Sequence, residues 1–300
     1  MPGSRPRYEL LRGRVARFAR ILHTADSPGA LHRTRVASRR LREVLPVLQL
    51  DGKLAGELVR KLRKVTERLG AIRELDVTLQ LIEELKDTGQ YNAAALDHVA
   101  AETRRAREAA FAQLPTKWPS REVRRLASKL TQTADRLKIV EDVSGSSPRE
   151  TRALRWAIEA RIQRRATALR EAIEDAGSVY LPDRLHLVRI ALKKLRYAVE
   201  LANELAKDGK FNAQLRLLKR NQDQLGRWHD YQVLIDHVRQ LQASETPPAL
   251  SSRQRLDGLI AALETECRRL HARYIRDSAA LAAVCHRAES RSQAPVERAS

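Results

Sequence analysis

Three hundred residues suffice for one large domain or two of ordinary size, and 43% hydrophobic residues are ample for a core, which excludes a disordered basic tail. The 57 Lys+Arg against 37 Asp+Glu leave a formal net charge of +20, which implies a polyanionic partner: nucleic acid, a phosphate polymer or an acidic membrane. No early apolar run resembles a signal peptide and no apolar span reaches about 18 residues, so a cytoplasmic protein without membrane insertion is expected.

Strong helix formers run through the whole chain, interrupted by only 12 Gly and 11 Pro. Breaks are predicted at Ser27–Pro28–Gly29, Asp51–Gly52, Thr88–Gly89, Pro115–Pro119, Gly145–Pro148, Gly177–Pro182, Asp208–Gly209 and Thr246–Pro248. The first helix with chemistry on it is LHRTRVASRRLREVL at 31–45. At about 100° per residue, His32, Arg35, Arg39 and Arg42 share an arc of roughly 80° and form a stripe about 15 Å long. Thr34, Ala37, Leu41, Val44, Leu45 and Leu48 take the opposite, core-facing side. Arg40 sits beside the stripe. The next helix, RKLRKVTERLGAIRELDVTL at 60–79, carries Arg60 and Lys64 one turn apart, then Leu69–Gly70 and Arg73–Glu74. The glycine marks a tight turn or a close approach of two helices.

The stretch EDVSGSSPRE at 141–150 reads as a linker, and beyond it the pattern repeats. LHLVRIALKKLRYAV at 185–199 aligns His186 with His32, Arg189 with Arg35, Lys193 and Lys194 with Arg39 and Arg40, and Arg196 with Arg42. Val188, Ala191, Leu192, Leu195, Ala198 and Val199 form its apolar face. RLLKRNQDQLGRWHDYQVLI at 216–235 then aligns Arg216 and Arg220 with Arg60 and Lys64, Gly226 with Gly70, and His229–Asp230 with Arg73–Glu74. The acids Glu74, Asp76 and Asp230 are open to three roles: capping a following helix, orienting arginines, or binding a cation. Cys267 and Cys285 fall on one helix about 27 Å apart, too far to bond to each other, which fits a reducing compartment. The expected organisation is a first helical-bundle half at 1–140, a linker at 141–150, a second half at 151–287 and a polar tail at 288–300, with about five helices in each half. The fold class is all-α, with two internally duplicated antiparallel bundles.

Matching cations at matching positions, with no acid within 32–42 or 186–196, point to a duplicated anion-binding surface. Nucleic acid is the main rival ligand, yet single-strand binders add stacking platforms, and aromatic residues are only 4% of the chain. Trp228 and Tyr231 are the suggestive pair, and a place in the bundle interior is the plainer expectation for them. A metal-dependent phosphohydrolase could use His229–Asp230, but the repeat puts Arg73–Glu74 there, and arginine does not ligate. Cys267 and His271 are at best half a zinc site. His32 has no ligand type one turn away and His186 only Asp183, so no metal, cofactor or catalytic residue is assigned.

The patterns H-x-x-R-V-x-x-R-R-L-R and H-x-x-R-I-x-x-K-K-L-R-Y, each followed by L-G-x-x-[RH]-[DE], resemble the conserved histidine α-helical domain, CHAD, over about residues 10–285. The resemblance implies a basic central channel that binds inorganic polyphosphate, and association with polyphosphate granules and their proteins. Carried over, the anion-binding positions are His32, Arg35, Arg39, Arg40, Arg42, His186, Arg189, Lys193, Lys194 and Arg196, with Arg60, Lys64, Arg73, Arg216, Arg220 and His229 added from the neighbouring helices. The commoner Arg-Asp pair after the glycine is Arg73–Glu74 in one half and His229–Asp230 in the other. The E-x-E-x-K signature of a CYTH domain is not found, so a stand-alone member is expected. The two histidines invite a further expectation: neighbouring arginines keep His32 and His186 neutral in the free protein, and a bound polyanion raises both, so affinity grows as pH falls from about 7 to 6. A hydrogen-bonded structural histidine is the alternative.

Overall fold

The computed structural model describes residues 6–22, 28–113, 120–144, 148–206, 208–244 and 250–290. These residues form helices α1 (Pro6–Leu22), α2 (Pro28–Val44), α3 (Gly52–Arg68), α4 (Gly70–Asp87), α5 (Ala93–Ala112), α6 (Ser120–Ser144), α7 (Pro148–Ala176), α8 (Pro182–Ala206), α9 (Asn212–Ser244) and α10 (Leu250–Ser290), with a 3-10 turn at Leu45–Val47. No strand occurs among the described residues, so the all-α expectation holds.

The helix ends follow from local chemistry. Proline opens α1, α2, α7 and α8, where its missing N–H costs nothing. Asp51 accepts from Leu54 N–H at 3.0 Å to start α3, and Asn92 accepts from Ala95 N–H at 2.9 Å to start α5. Gly89 and Gly177 follow α4 and α7 at φ 64° and 57°, the left-handed geometry that side chains resist.

In the first half α1 packs on α2, α2 on α3, α4 on α5, and α6 returns to α1. In the second, α7 packs on α8, α8 on α9, α9 on α10, and α10 returns to α7. Among the described residues the same packing order is thus built from six helices and then from four, not from five and five. At the repeat offset, α9 takes the place of α3 plus α4, and α10 that of α5 plus α6. The first half breaks at Leu69, whose φ of −86° and ψ of 3° leave the helical region, whereas α9 runs straight through Gly226. The predicted turn at the repeated glycine therefore exists once.

Both predicted apolar faces are buried in full, Thr34 to Leu48 on α2 and its turn, and Val188 to Val199 on α8. Trp228 and Tyr231 are interior, as the plainer expectation had it. Contacts between the halves run α4 to α9, α5 to α10 and α2 to α8. Ion pairs that cross between them among the described residues include Arg14–Glu204 at 2.6 Å, Arg161–Glu43 at 2.6 Å, Arg7–Glu150 at 3.1 Å and Arg227–Glu84. Of the expected 141–150 linker, 141–144 end α6 and 148–150 begin α7, while 145–147 lie outside the described residues. Glu141 is buried. Its carboxylate takes the Arg7 Nε–H at 3.0 Å and the first-turn N–H groups of Arg7 and Tyr8 at 3.2 Å, so α6 caps α1. The breaks expected at 115–119 and 246–248 also lie outside the described residues, and of the 288–300 tail only 288–290 is described, as the end of α10.

Candidate functional site

The stripe on α2 exists because its apolar face is consumed by the core, which leaves His32, Arg35 and Arg39 on the other side. That side meets the opening turns of α4, and beyond them α8 and α9. Between the four helices lies an open cleft of about 430 Å³. From α2 it is lined by His32, Arg35, Arg39 and Arg40, and from α4 by Gly70, Arg73, Glu74 and Thr78. Helix α8 contributes Arg189, Lys193, Arg196 and Tyr197, and α9 contributes Gln222, His229 and Asp230. Seven cations (Arg35, Arg39, Arg40, Arg73, Arg189, Lys193 and Arg196) thus face two carboxylates, Glu74 and Asp230.

Two side chains show how the cations are held. Arg35 donates from Nη1 to the Thr66 carbonyl at 3.0 Å, a free acceptor in the last turn of α3 where a cation suits the helix dipole. Gly70 makes room for it: a Cβ there would lie 3.2 Å from the same nitrogen. Arg196 donates to Gln222 and Glu200, both at 2.7 Å, and stacks over Tyr197 at 5.0 Å. By contrast, Arg35, Arg39, Arg40, Arg73, Arg189 and Lys193 carry no ion pair among the described residues. The Arg189 Nε is buried without a hydrogen-bond partner.

Crowded, partly buried like charges move one another's proton equilibria. Burial, and then Arg189, Arg39 and Arg35, push the Lys193 ammonium down to about 7. Burial, then Arg39 and Arg73, bring Arg35 down to about 10, which leaves it fully charged near neutrality. His229 is pushed down to about 3, by burial first and then by Arg189, His186 and Lys193. His32 and His186 are both lowered, again by burial ahead of their arginine neighbours, so the sequence argument named the second cause and missed the first. The Asp230 carboxyl is raised by burial, against the pull of Arg189 and Arg227.

Of the sequence-named positions, His32, Arg35, Arg39, Arg40, Arg73, Arg189, Lys193, Arg196 and His229 come together in the cleft. His186 stands behind it, its ring 5.0 Å from that of His229. Arg42 and Lys194 turn away and are taken up below. Arg60 and Lys64 line separate clefts on α3, Arg216 is exposed, and Arg220 reaches Asp277 at 3.6 Å. Glu74, Asp76 and Asp230 lie inside helices and cap none of them. Asp76 instead holds Arg107 at 2.6 Å. Cys267 and His271 belong to a buried polar cluster, with Gln232 donating to Cys267 Sγ at 3.2 Å and Tyr180 edge-on to His271. No group of three or more His, Cys, Asp or Glu is placed to hold a metal among the described residues. Gln222 and Tyr197 were not foreseen. Tyr197 follows the repeated Leu-Arg in the second copy only, where the first has Glu43, and no sequence spacing puts Gln222 opposite Arg196.

A profile of the CHAD domain matches residues 9–239, more than half of the chain. The chain belongs to the CHAD family. The CHAD match spans α2, α4, α8 and most of α9, and so every helix that lines the cleft. No curated protein gives a significant match. The crystal structure of the CHAD domain from the plant Ricinus communis is 22% identical, with a TM-score of 0.61, covering 94% of this chain and 90% of that one. PptA from Streptomyces chartreusis is 19% identical, with a TM-score of 0.60, covering 98% and 99%. At these identities the two structures establish the CHAD fold.

Proposed function

We propose that the chain binds inorganic polyphosphate in the cleft between α2, α4, α8 and α9. The observation that carries this reading is the set of six cations without ion pairs among the described residues, Arg35, Arg39, Arg40, Arg73, Arg189 and Lys193, facing one open cleft. Holding such a set with only Glu74 and Asp230 to offset it costs stability, and a polyanion relieves it. A phosphate polymer offers non-bridging oxygens along its whole length and nothing else, which suits arginine forks at fixed spacing. The family resemblance drawn from the repeated motifs points to the same ligand, and to association with polyphosphate granules in the cytoplasm. Among the described residues no helix is long and apolar enough to cross a membrane.

Nucleic acid is the second reading, supported by the net charge of +20. Against it, Trp228 and Tyr231 are buried, so neither offers a base a stacking face. The reading assigns binding and no catalysis. Calorimetric titration with long-chain polyphosphate tests it, comparing wild type with Arg35→Ala/Arg189→Ala and checking both for helix content. Loss of two charge-assisted contacts predicts affinity lower by roughly a hundredfold. Unchanged affinity would place the ligand elsewhere.

A further inference from the structure

Arg42 and Lys194 belong to the repeated basic motif yet stay out of the cleft. They gather instead at the junction of α2, α7 and α8, around Glu43. The Glu43 carboxylate is committed to Arg161, whose Nε and Nη2 reach Oε2 at 2.8 and 2.6 Å, and both side chains are nearly buried. Arg165, one turn further along α7, stands 3.7 Å from the other oxygen, beyond hydrogen-bond distance. Its Nε is buried with no partner. Arg42, Arg165 and Lys194 act on one another electrostatically, and the other acid near Arg42, Glu67, is held by Arg63 at 2.6 Å. Three cations therefore share what one engaged carboxylate leaves over. Lys194 is exposed and Arg165 half-buried, so an anion can reach them.

The cluster continues the cleft. Arg39 lines the cleft and also acts on Arg42, and Lys193 of the cleft precedes Lys194 of the cluster. We propose that Arg42, Arg165 and Lys194 form a second phosphate subsite, engaged by a linear polymer that already occupies the cleft and is long enough to extend along α2 past Arg39. The proposal rests on the polyphosphate reading of the cleft and adds a helix, α7, that lines no part of it. It makes chain length a determinant of affinity. A short oligomer fills the cleft alone, and a long one gains the three further cations.

The test compares tripolyphosphate with long-chain polyphosphate on wild type, Arg165→Ala, Arg165→Lys, Lys194→Ala and, as a charge-matched control, Arg287→Ala at the far end of α10. Lys194 is exposed and carries no ion pair among the described residues, so its variant keeps the proposal testable even if Arg165→Ala loosens the fold. Expected are a loss of about tenfold for Arg165→Ala and about threefold for Lys194→Ala with the long chain. Arg165→Lys should be intermediate, tripolyphosphate affinity should stay within about twofold, and Arg287→Ala should change neither. Equal losses for both probes, no loss with the long chain, or an equal loss in Arg287→Ala would overturn the subsite and leave the cleft reading standing. Wild type that binds neither probe would overturn both.

Discussion

Lys193 shows how one residue ties the protein's charge to its ligand. In the free protein its ammonium loses a proton as pH rises through about 7, while in the unfolded chain it holds that proton to an ordinary lysine value near 10.4. The unfolded state thus binds more protons between about 7 and 10, and the contribution of Lys193 makes the free fold more stable as pH rises through that window. A bound polyanion restores the proton. Affinity should therefore fall as pH rises above 7, with proton uptake on binding that is close to zero from Lys193 below it. Calorimetry in buffers of different ionisation enthalpy measures this, and Lys193→Arg, charged throughout, should abolish the uptake. Uptake confined to pH 6–7 would instead assign the proton to His32 and His186, as the sequence alone suggested. The repeat picked out the residues of the stripe, of which all but Arg42 and His186 line the cleft. It did not mark out Lys193 as the titrating one, because that shift comes first from burial and then from Arg35 and Arg39 on another helix.

At the scale of elements, the twelve core-facing positions on α2, the turn after it and α8 followed from a 3.6-residue period, since a buried helix face needs that spacing and little else. The helix break followed only half-way. Leu69–Gly70 and Leu225–Gly226 look alike in sequence, yet one is a kink and the other mid-helix. The difference is Arg35, which bonds the Thr66 carbonyl beside Gly70, while no atom outside the helix backbone lies within 4 Å of a Cβ at Gly226. The two glycines should respond differently to alanine. Gly226→Ala should raise stability by about 0.5–1 kcal/mol and leave polyphosphate affinity unchanged. Gly70→Ala should displace the Arg35 guanidinium and weaken binding by roughly threefold or more. Denaturant midpoints and binding curves on the two variants check this; equal effects on binding would mean that Arg35 is not positioned by the kink. Pairings such as Glu43–Arg161, 118 residues apart, carry no sequence signal at all.

For the molecule as a whole, the surplus of twenty positive charges is divided unevenly. Arginines such as Arg7, Arg107 and Arg161 are tied to acids and hold helices together, with Arg7–Glu141 and Arg161–Glu43 nearly buried. Those facing the cleft, Arg196 excepted, are left without ion pairs among the described residues. That division is what the proposed polyphosphate site rests on, as against a generally basic surface, and it is what the family match alone does not supply. The measurement that tests it most directly is binding to long-chain polyphosphate at about 0.15 M salt in competition with excess DNA and RNA. The account predicts tight binding that nucleic acid does not displace and that Arg35→Ala/Arg189→Ala loses. Equal displacement by nucleic acid, with the double variant binding as before, would contradict it.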